Sequence, residues 1–540
     1  MPAACTHLRN RTVQNSSRSR YAVALTAALG LFMAVLDNTV VNVALTPMSS
    51  ALQSSLSSIQ WVVTGYFLAQ AAVIPVAGYF SNRFGIKRLF MICLSFFTIG
   101  SLLCGLAQNE TMLIGFRVLQ GLGGGALFPL TQAIAFGAFP PRDRAAASAV
   151  VGIPVLLAPT FGPTIGGLLT DNFGWEYIFF VNVPVGIVAL ALAWRIIPRD
   201  KPAPAGPQRS FDYIGLLLSV LGVLAVVYAF TLVSQPQPGS ESALNPRGTL
   251  YGWGYWPVWA LLAAGAAILA AFIFYELRVS KDPVLDLRLY AQRDFTLSSL
   301  VTWVTAMIIF GSLILIPIFL EQVRVPHLSA LDAGLALMPQ GIAAAIAVAL
   351  GGRLYNRVGV RNLIGLGAVC LFASSWMLTQ LTPATDGFGL WPALIVRGLG
   401  FGFTNIPVQT LALQQITGAA LPRASSLFTV TRQIFSSIGV AMVTTLFVQQ
   451  TTQHADALRA SLQGSLPAGT VLDPNSPAFQ AARDQLFAQA GTAGLNDVFT
   501  YVTIGTVLIV LLALALPNRA QQARAGATSG EPAHQAVLAE

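Results

Sequence analysis

The chain has 540 residues, of which 55% are hydrophobic and 9% charged, with a mean hydropathy of +0.67. Soluble domains carry about a quarter charged residues, so a water-soluble globular fold is excluded and an integral membrane protein is implied. The net charge of +9 and the pI near 9.6 do not mark a nucleic-acid binder. The basic residues are dispersed through short connections between apolar runs, not gathered on one patch.

A membrane-spanning helix needs about 20 mostly apolar residues. In chain order such segments fall at about 21–46, 58–80, 89–107, 111–137, 144–171, 175–196, 213–235, 254–278, 294–320, 329–352, 361–380, 388–414, 424–450 and 496–516. The first follows Arg9, Arg11, Arg18 and Arg20, as a secretory leader would. It is too long for one and contains Asp37 and Asn42, so it reads as an uncleaved span. Connections are short except at about 236–253 and at 451–495, the latter polar with "LDPNSPAF" inside it.

Fourteen spans place both termini on one side. Of the 30 Lys and Arg, only Arg247, Arg324, Arg459 and Arg483 fall on the opposite side, and Arg117, Arg397 and Arg432 fall within spans. All others lie on the side of the termini, which the bias of Lys and Arg toward the cytoplasm makes cytoplasmic. The expected organisation is a cytoplasmic tail (1–20), a six-helix bundle (21–196), a linker with two extra spans (197–290), a second six-helix bundle (291–516) with an external 451–495 loop, and a second cytoplasmic tail (517–540). Such a chain is a multi-pass protein of a plasma or inner membrane.

The halves echo each other. "GYFSNRFGIKR" (78–88) matches "GRLYNRVGVR" (352–361): Gly78, Asn82, Arg83, Gly85 and Lys87 align with Gly352, Asn356, Arg357, Gly359 and Arg361, all displaced by 274 residues. Two spans later "QGLGGG" (120–125) matches "RGLGFG" (397–402). Parallel halves with a site between them are a transporter architecture. In the 78–88 turn, glycines permit a tight reversal and the basic residues anchor it at the cytoplasmic surface; a role in topology alone explains it equally well.

"LDNTVVNVALTP" (36–47), "GYFSNRFGIKR", "RVLQGLGGG" (117–125), "APTFGPTIGG" (158–167), "WEYIFFVNVPVG" (175–186), "FDYIG" (211–215) and "RQIFSSIGVA" (432–441) together resemble the major facilitator superfamily. The resemblance is to its fourteen-span drug:proton antiporter branch. It implies an all-α fold of two parallel six-helix bundles with two helices between them, and proton-coupled export of lipophilic or amphiphilic compounds by alternating access. It also implies that the first and fourth helices of each half line a cavity, and that "APTFGPTIGG" marks antiporters over symporters. Two departures stand out: Asn82 replaces the usual aspartate of the loop signature, and Glu176 stands where the branch often has arginine. Asp143 is a substitute partner for Arg83 or Lys87.

A charge at mid-membrane costs several kcal/mol and usually marks a pathway. Asp37 lies roughly 13 Å, and Arg117 roughly 9 Å, from the outer ends of their spans at the helical rise. Their similar depth makes them candidates for proton coupling, against the alternative of a structural ion pair. Asn42, Gln120, Gln340, Arg397, Asn405, Gln409 and Arg432 are candidates for the cavity, although polar residues in spans are more often interhelical hydrogen bonds. The cytoplasmic gating loop comprises Gly78, Asn82, Arg83, Gly85, Lys87 and Asp143. Pro159, Gly162, Pro163, Gly166 and Gly167 form a seam where small residues let helices approach. Excess buried arginine biases the expected substrates toward neutral amphiphiles and weak organic acids.

An enzyme is not expected. Cys5, Cys93, Cys104 and Cys370 have no metal-type spacing, and His7, His327, His454 and His534 all lie outside the spans. "GLGGGA" (121–126) lacks the strand a dinucleotide loop needs, and no lysine sits in a phosphate-loop context. No metal or cofactor is expected. The partners are lipophilic small molecules, protons and the bilayer, with a periplasmic adaptor protein as a further candidate. That adaptor would make the chain one permease subunit of a multi-component system; a proton-coupled symporter of a small metabolite is the other alternative.

Overall fold

In lipid every backbone polar group must be satisfied within the protein, which restricts long apolar runs to helices. The computed structural model is accordingly all-helical through its spans. It describes residues 3–517 apart from 55, 200–211, 234, 236, 238–249, 281–282, 329, 419 and 466–476. The expected tail beyond 517, most of the linker connections and the centre of the 451–495 connection lie outside the described residues.

Fourteen long helices follow one another: α1 (Ala3–Ala51), α2 (Trp61–Phe84), α3 (Ile86–Gly105), α4 (Glu110–Ala138), α5 (Arg144–Asn172), α6 (Tyr177–Ile196), α7 (Tyr213–Val233), α8 (Trp256–Arg278), α9 (Arg293–Val323), α10 (Ala330–Val358), α11 (Val360–Met377), α12 (Trp391–Leu413), α13 (Ala420–Ser465) and α14 (Pro477–Ala515). Thirteen of them, among the described residues, are long and apolar enough to cross a membrane. The exception is α12, whose apolar character is diluted by Arg397, Thr404, Asn405, Gln409 and Thr410. Their large exposed apolar residues, Trp194, Trp256 and Trp376 among them, form the surface that lipid covers.

The repeat is visible in packing. α4 lies between α2 and α3, and α12 lies between α10 and α11. A Cβ on Gly121 would strike Tyr66 of α2, and one on Gly398 would strike Gln340 of α10. On Gly125 it would stand 2.6 Å from the Gln70 carbonyl, and on Gly402 2.6 Å from that of Ala344. Each contacted residue is displaced from its counterpart by the same 274 residues as the loop motif. The glycines are therefore where both halves bring backbones together.

The inserted pair sits outside this frame. α7 packs on α2 and α13, bridging the halves, and α8 leans on α7 and the 287–291 turn. Two expectations change in detail. The flanks of the 451–495 connection are helical, not loop: α13 runs 46 residues to Ser465 and α14 begins at Pro477. At 1.5 Å per residue α13 is about 69 Å long, against a hydrocarbon core of about 30 Å. Hydropathy marks where a helix is apolar, and the alanine- and leucine-containing stretch beyond it keeps helical propensity after apolarity ends. The ninth span is also broken: regular helix stops at Leu313, resumes over Leu315–Ile318 and closes with a π-turn at Phe319–Val323.

Candidate functional site

Asp37 is 1% exposed, in the C-terminal half of α1. Three side chains from two other helices donate to its carboxylate. Arg117 Nη1 meets Oδ2 at 2.5 Å, Gln120 Nε2 meets Oδ1 at 3.0 Å, and Asn182 Nδ2 meets Oδ1 at 3.1 Å. Arg117 and Gln120 are one turn apart on α4, so a single helical face presents both; Asn182 comes from α6.

The donors are themselves held. Arg117 Nε donates to the Val62 carbonyl at 3.0 Å and Nη1 also reaches Gln120 Oε1 at 2.8 Å. Its guanidinium lies 3.9 Å from the Tyr66 ring centroid, a cation–π contact strengthened where water is excluded. The Tyr66 hydroxyl donates to the Ala34 carbonyl at 3.4 Å, back on α1. Asn182 also donates to Ser101 Oγ at 3.2 Å, and Ser101 donates to the Phe179 carbonyl at 2.9 Å. One carboxylate thus ties α1, α2, α3, α4 and α6. Removing its charge would release the guanidinium at the centre of that network.

Similar depth, with the cavity-lining role that the resemblance gives the first and fourth helices, paired Asp37 with Arg117, and the structure places them in contact. Gln120, expected in the cavity, is 0% exposed and belongs to the carboxylate's own shell. Asn182, Tyr66 and Ser101 were missed. An asparagine opening "NVPVG" and a tyrosine in an apolar helix look like packing residues until the fold brings them under Asp37. Asn42, by contrast, is exposed, with its amide on the Asn38 carbonyl of its own helix at 3.2 Å.

In the second half Arg397 is 1% exposed. Its Nη2 donates to Ser312 Oγ on α9, while Nε and Nη1 have no hydrogen-bond partner among the described residues. Gln340 is partly buried with its Oε1 unpartnered, and Asn405 is partly buried on α12. Arg432, on α13, lies 4.1 Å from the Phe128 ring centroid of α4; one turn on, Phe435 stacks on Trp303 at 4.6 Å and 5°. Gln409 accepts from Gln132 at 3.3 Å, joining α12 to α4 across the halves.

That contact belongs to a closure at the end of the bundle bearing the Gly78–Lys87 turn. Arg144, opening α5, donates through Nη1 to the carbonyls of Leu413, Gln414 and Ile416 at 2.6–2.8 Å. A cation there satisfies carbonyls left over at the end of α12 and complements its dipole. Ser148 and Thr410 share a hydrogen bond at 2.9 Å. A Cβ on Gly78 would stand 2.7 Å from Arg423 Cα, so α2 and α13 touch backbone to backbone. Gly85 turns the chain at φ 92°, as Gly359 does at φ 89° in the second half. Lys87 donates to the carbonyls of Trp194 and Ile197 at 2.6 and 2.5 Å, capping α6. Asn82 is partly buried, Arg83 is exposed, and Asp143 directly precedes α5.

The "APTFGPTIGG" residues lie on α5 between the halves. Gly162 faces Thr39 and Gly166 faces Val40, two and three residues from Asp37 in sequence, whereas Pro163 packs on Gly334 of α10. Pro159 and Pro163 lie inside the continuous helix, and Gly167 has open space around its Cα. α5 thus touches α1 on one side and α10 on the other. Two surface hollows lie away from this chemistry. One of about 450 Å³, between α11 and α14, includes Phe372, Trp376 and Val507; one of about 310 Å³ includes Arg293 and Gln415.

Residues 27–440 match the family model described as Major Facilitator Superfamily. The chain is 34% identical over 519 residues to "Multidrug resistance protein B homolog" of Mycobacterium tuberculosis (strain ATCC 25618 / H37Rv), covering 93% of this chain and 91% of that protein. It is 31% identical over 434 residues to "Fatty acid resistance protein FarB" of Neisseria gonorrhoeae, covering 80% and 82%. The fold is similar to that of the proton:xylose symporter XylE, with a TM-score of 0.55 at 12% identity over 92% of this chain and 96% of that one.

Proposed function

Because the chain belongs to the Major Facilitator Superfamily, we propose that it is a proton-driven exporter of lipophilic and amphiphilic compounds, working by alternating access between its two halves. The observation that carries this reading is the Asp37 carboxylate, buried within the first span and held by donors on α4 and α6. An intramembrane carboxylate of this kind is by default part of a pathway.

A proton arriving at Asp37 cancels the charge that fastens Arg117. α1 then loosens from α4 and α6 and shifts along the Gly162–Gly166 seam. α5 carries that shift to α10, and the contacts of Arg144 and Ser148 with α12 open. Substrate enters from the opened side. Proton loss to that same side restores the carboxylate network and the closed seam, and the substrate leaves on the opposite side. The resemblance to FarB and the Drug-resistance relative supports an amphiphilic substrate, and Arg397 and Arg432 favour neutral or acidic lipophiles over permanent cations at low dielectric. The basic residues around the Gly78–Lys87 turn support a cytoplasmic position for that end and for both termini, in a plasma or inner membrane.

The test is efflux from proteoliposomes under an imposed pH gradient. Asp37→Asn should insert and fold but give no gradient-driven efflux; efflux near the wild-type rate would remove the reading.

The helical flanks of 451–495 favour a second reading, in which this chain works with a periplasmic adaptor protein. α13 and α14 extend past their apolar lengths and are joined by His454 and Asp497 at 2.7 Å. Shortening both flanks should abolish resistance in cells while sparing efflux in proteoliposomes if an adaptor docks there; equal loss in both settings would reject it.

A further inference from the structure

The second half lacks a carboxylate where the first half has one. By the packing equivalence of α4 with α12, Gln120 and Arg397 occupy corresponding positions, each one residue before a glycine that meets α2 or α10. Gln120 donates to Asp37 of α1; Arg397 donates to Ser312 of α9. Ser312 thus stands in the place of Asp37, a hydroxyl where the first half has a carboxylate. Opposite it is a guanidinium with Nε and Nη1 both buried and unpartnered. Arginine stays protonated in proteins, and a lone buried cation is strongly unfavourable unless something pairs with it.

A second observation points to the same spot. The helix that carries Ser312 loses regular geometry two residues later, at Ile314, and closes in a π-turn at Phe319–Val323. Discontinuous helices and π-turns in membrane proteins cluster where ligands bind, because broken backbone is tolerated where it lines a cavity.

We propose that Arg397 and Ser312 form a receptor for an exogenous monovalent carboxylate or similar anion, seated where the Asp37 side chain sits in the first half. Two parallel N–H groups of Arg397 suit the two oxygens of a carboxylate, and the Ser312 hydroxyl supplies a further polar contact. Two sources offer this chemistry: the headgroup of an acidic amphiphile, and a simple anion such as chloride. The identity of the ligand rests on the export reading; the existence of the site does not.

The experiment is equilibrium binding to the full-length protein in nanodiscs, in HEPES–NaOH without added salt and with no gradient. The probes are decanoate and its uncharged amide, each titrated with and without chloride. The wild type should bind decanoate roughly tenfold or more tightly than decanamide, the scale of one charge-assisted pair. Arg397→Gln should bring decanoate down to the affinity of the amide. Ser312→Asp should do the same by supplying an internal carboxylate, and should raise the melting temperature; it keeps the test open if Arg397→Gln is poorly produced. Chloride competing with decanoate identifies a bare-anion site, and no competition identifies the amphiphile's headgroup; both uphold the receptor. Equal binding of decanoate and decanamide by the wild type, or unchanged decanoate binding in Ser312→Asp, would overturn it. Failure here leaves the export reading intact, whereas intact decanoate binding without gradient-driven efflux fails that reading alone.

Discussion

The two halves of this protein share a scaffold and differ in charge. Gly121 and Gly125 bring α4 against α2 just as Gly398 and Gly402 bring α12 against α10. Inside those matching frames the first half holds a closed network of Asp37, Arg117, Gln120 and Asn182, and the second holds Arg397 on a single serine. The helix-approach positions recur because backbone contact tolerates no side chain there. The buried charges do not recur because each half needs only enough polarity for its own task. The comparison separates what builds the fold from what works on it.

The largest effects should come from breaking the asymmetry. Arg117→Met leaves Asp37 buried without its cation and should cost about 3–5 kcal/mol of stability. Arg397→Met removes a cation with no counter-charge among the described residues and should be neutral or stabilising. Melting temperatures of the two variants in the same detergent decide this; a comparable loss in both would mean that Arg397 has an unrecognised partner in the folded protein.

Next in size is Arg117→Lys. Lysine keeps the charge but cannot serve Val62, Gln120 and Asp37 from one planar fork. Gradient-driven efflux should fall about tenfold, the worth of one lost charge-assisted bond, with the protein still folded. An unchanged rate would mean that charge alone matters at this position.

A smaller effect sharpens the shared scaffold. Gly125→Ala and Gly402→Ala each put a Cβ 2.6 Å from a carbonyl oxygen. Both should destabilise by a similar amount, about 1–3 kcal/mol, and thermal denaturation reads it. A large effect in one half only would argue against the repeat as a packing unit.

The smallest effect belongs to the seam. Gly162 faces Thr39 closely, whereas Gly167 has nothing within 4 Å. Gly162→Ala should reduce efflux and Gly167→Ala should stay within about 0.5 kcal/mol of wild-type stability. Equal impairment would show that the motif is read by something other than α1.

Most of the helical frame was legible in the sequence, because apolar length and the distribution of Lys and Arg are properties of single segments. α12 was legible by apolar and glycine content although, among the described residues, it is the one long helix not apolar enough to count as a span. Asp37 and Arg117 were legible because charges are rare in spans and their depths match. Asn182, Tyr66 and Ser101 were not, since uncharged polar residues are common in membrane helices and only the fold gathers these under one carboxylate. Gln120 was assigned to the cavity for the same reason. Arg144 looked like one more basic residue of a short connection; its contact with the end of α12 is formed across the halves and leaves no local pattern. The helical extensions of α13 and α14 were hidden because hydropathy reports where lipid can be, not where a helix stops.

The central claim is that Asp37 exchanges a proton in step with substrate. The most direct measurement is proton release from purified protein in weakly buffered detergent solution on addition of an exported lipophile. Release is expected from the wild type and none from Asp37→Asn at equal substrate occupancy; release of the same size from Asp37→Asn would contradict the claim.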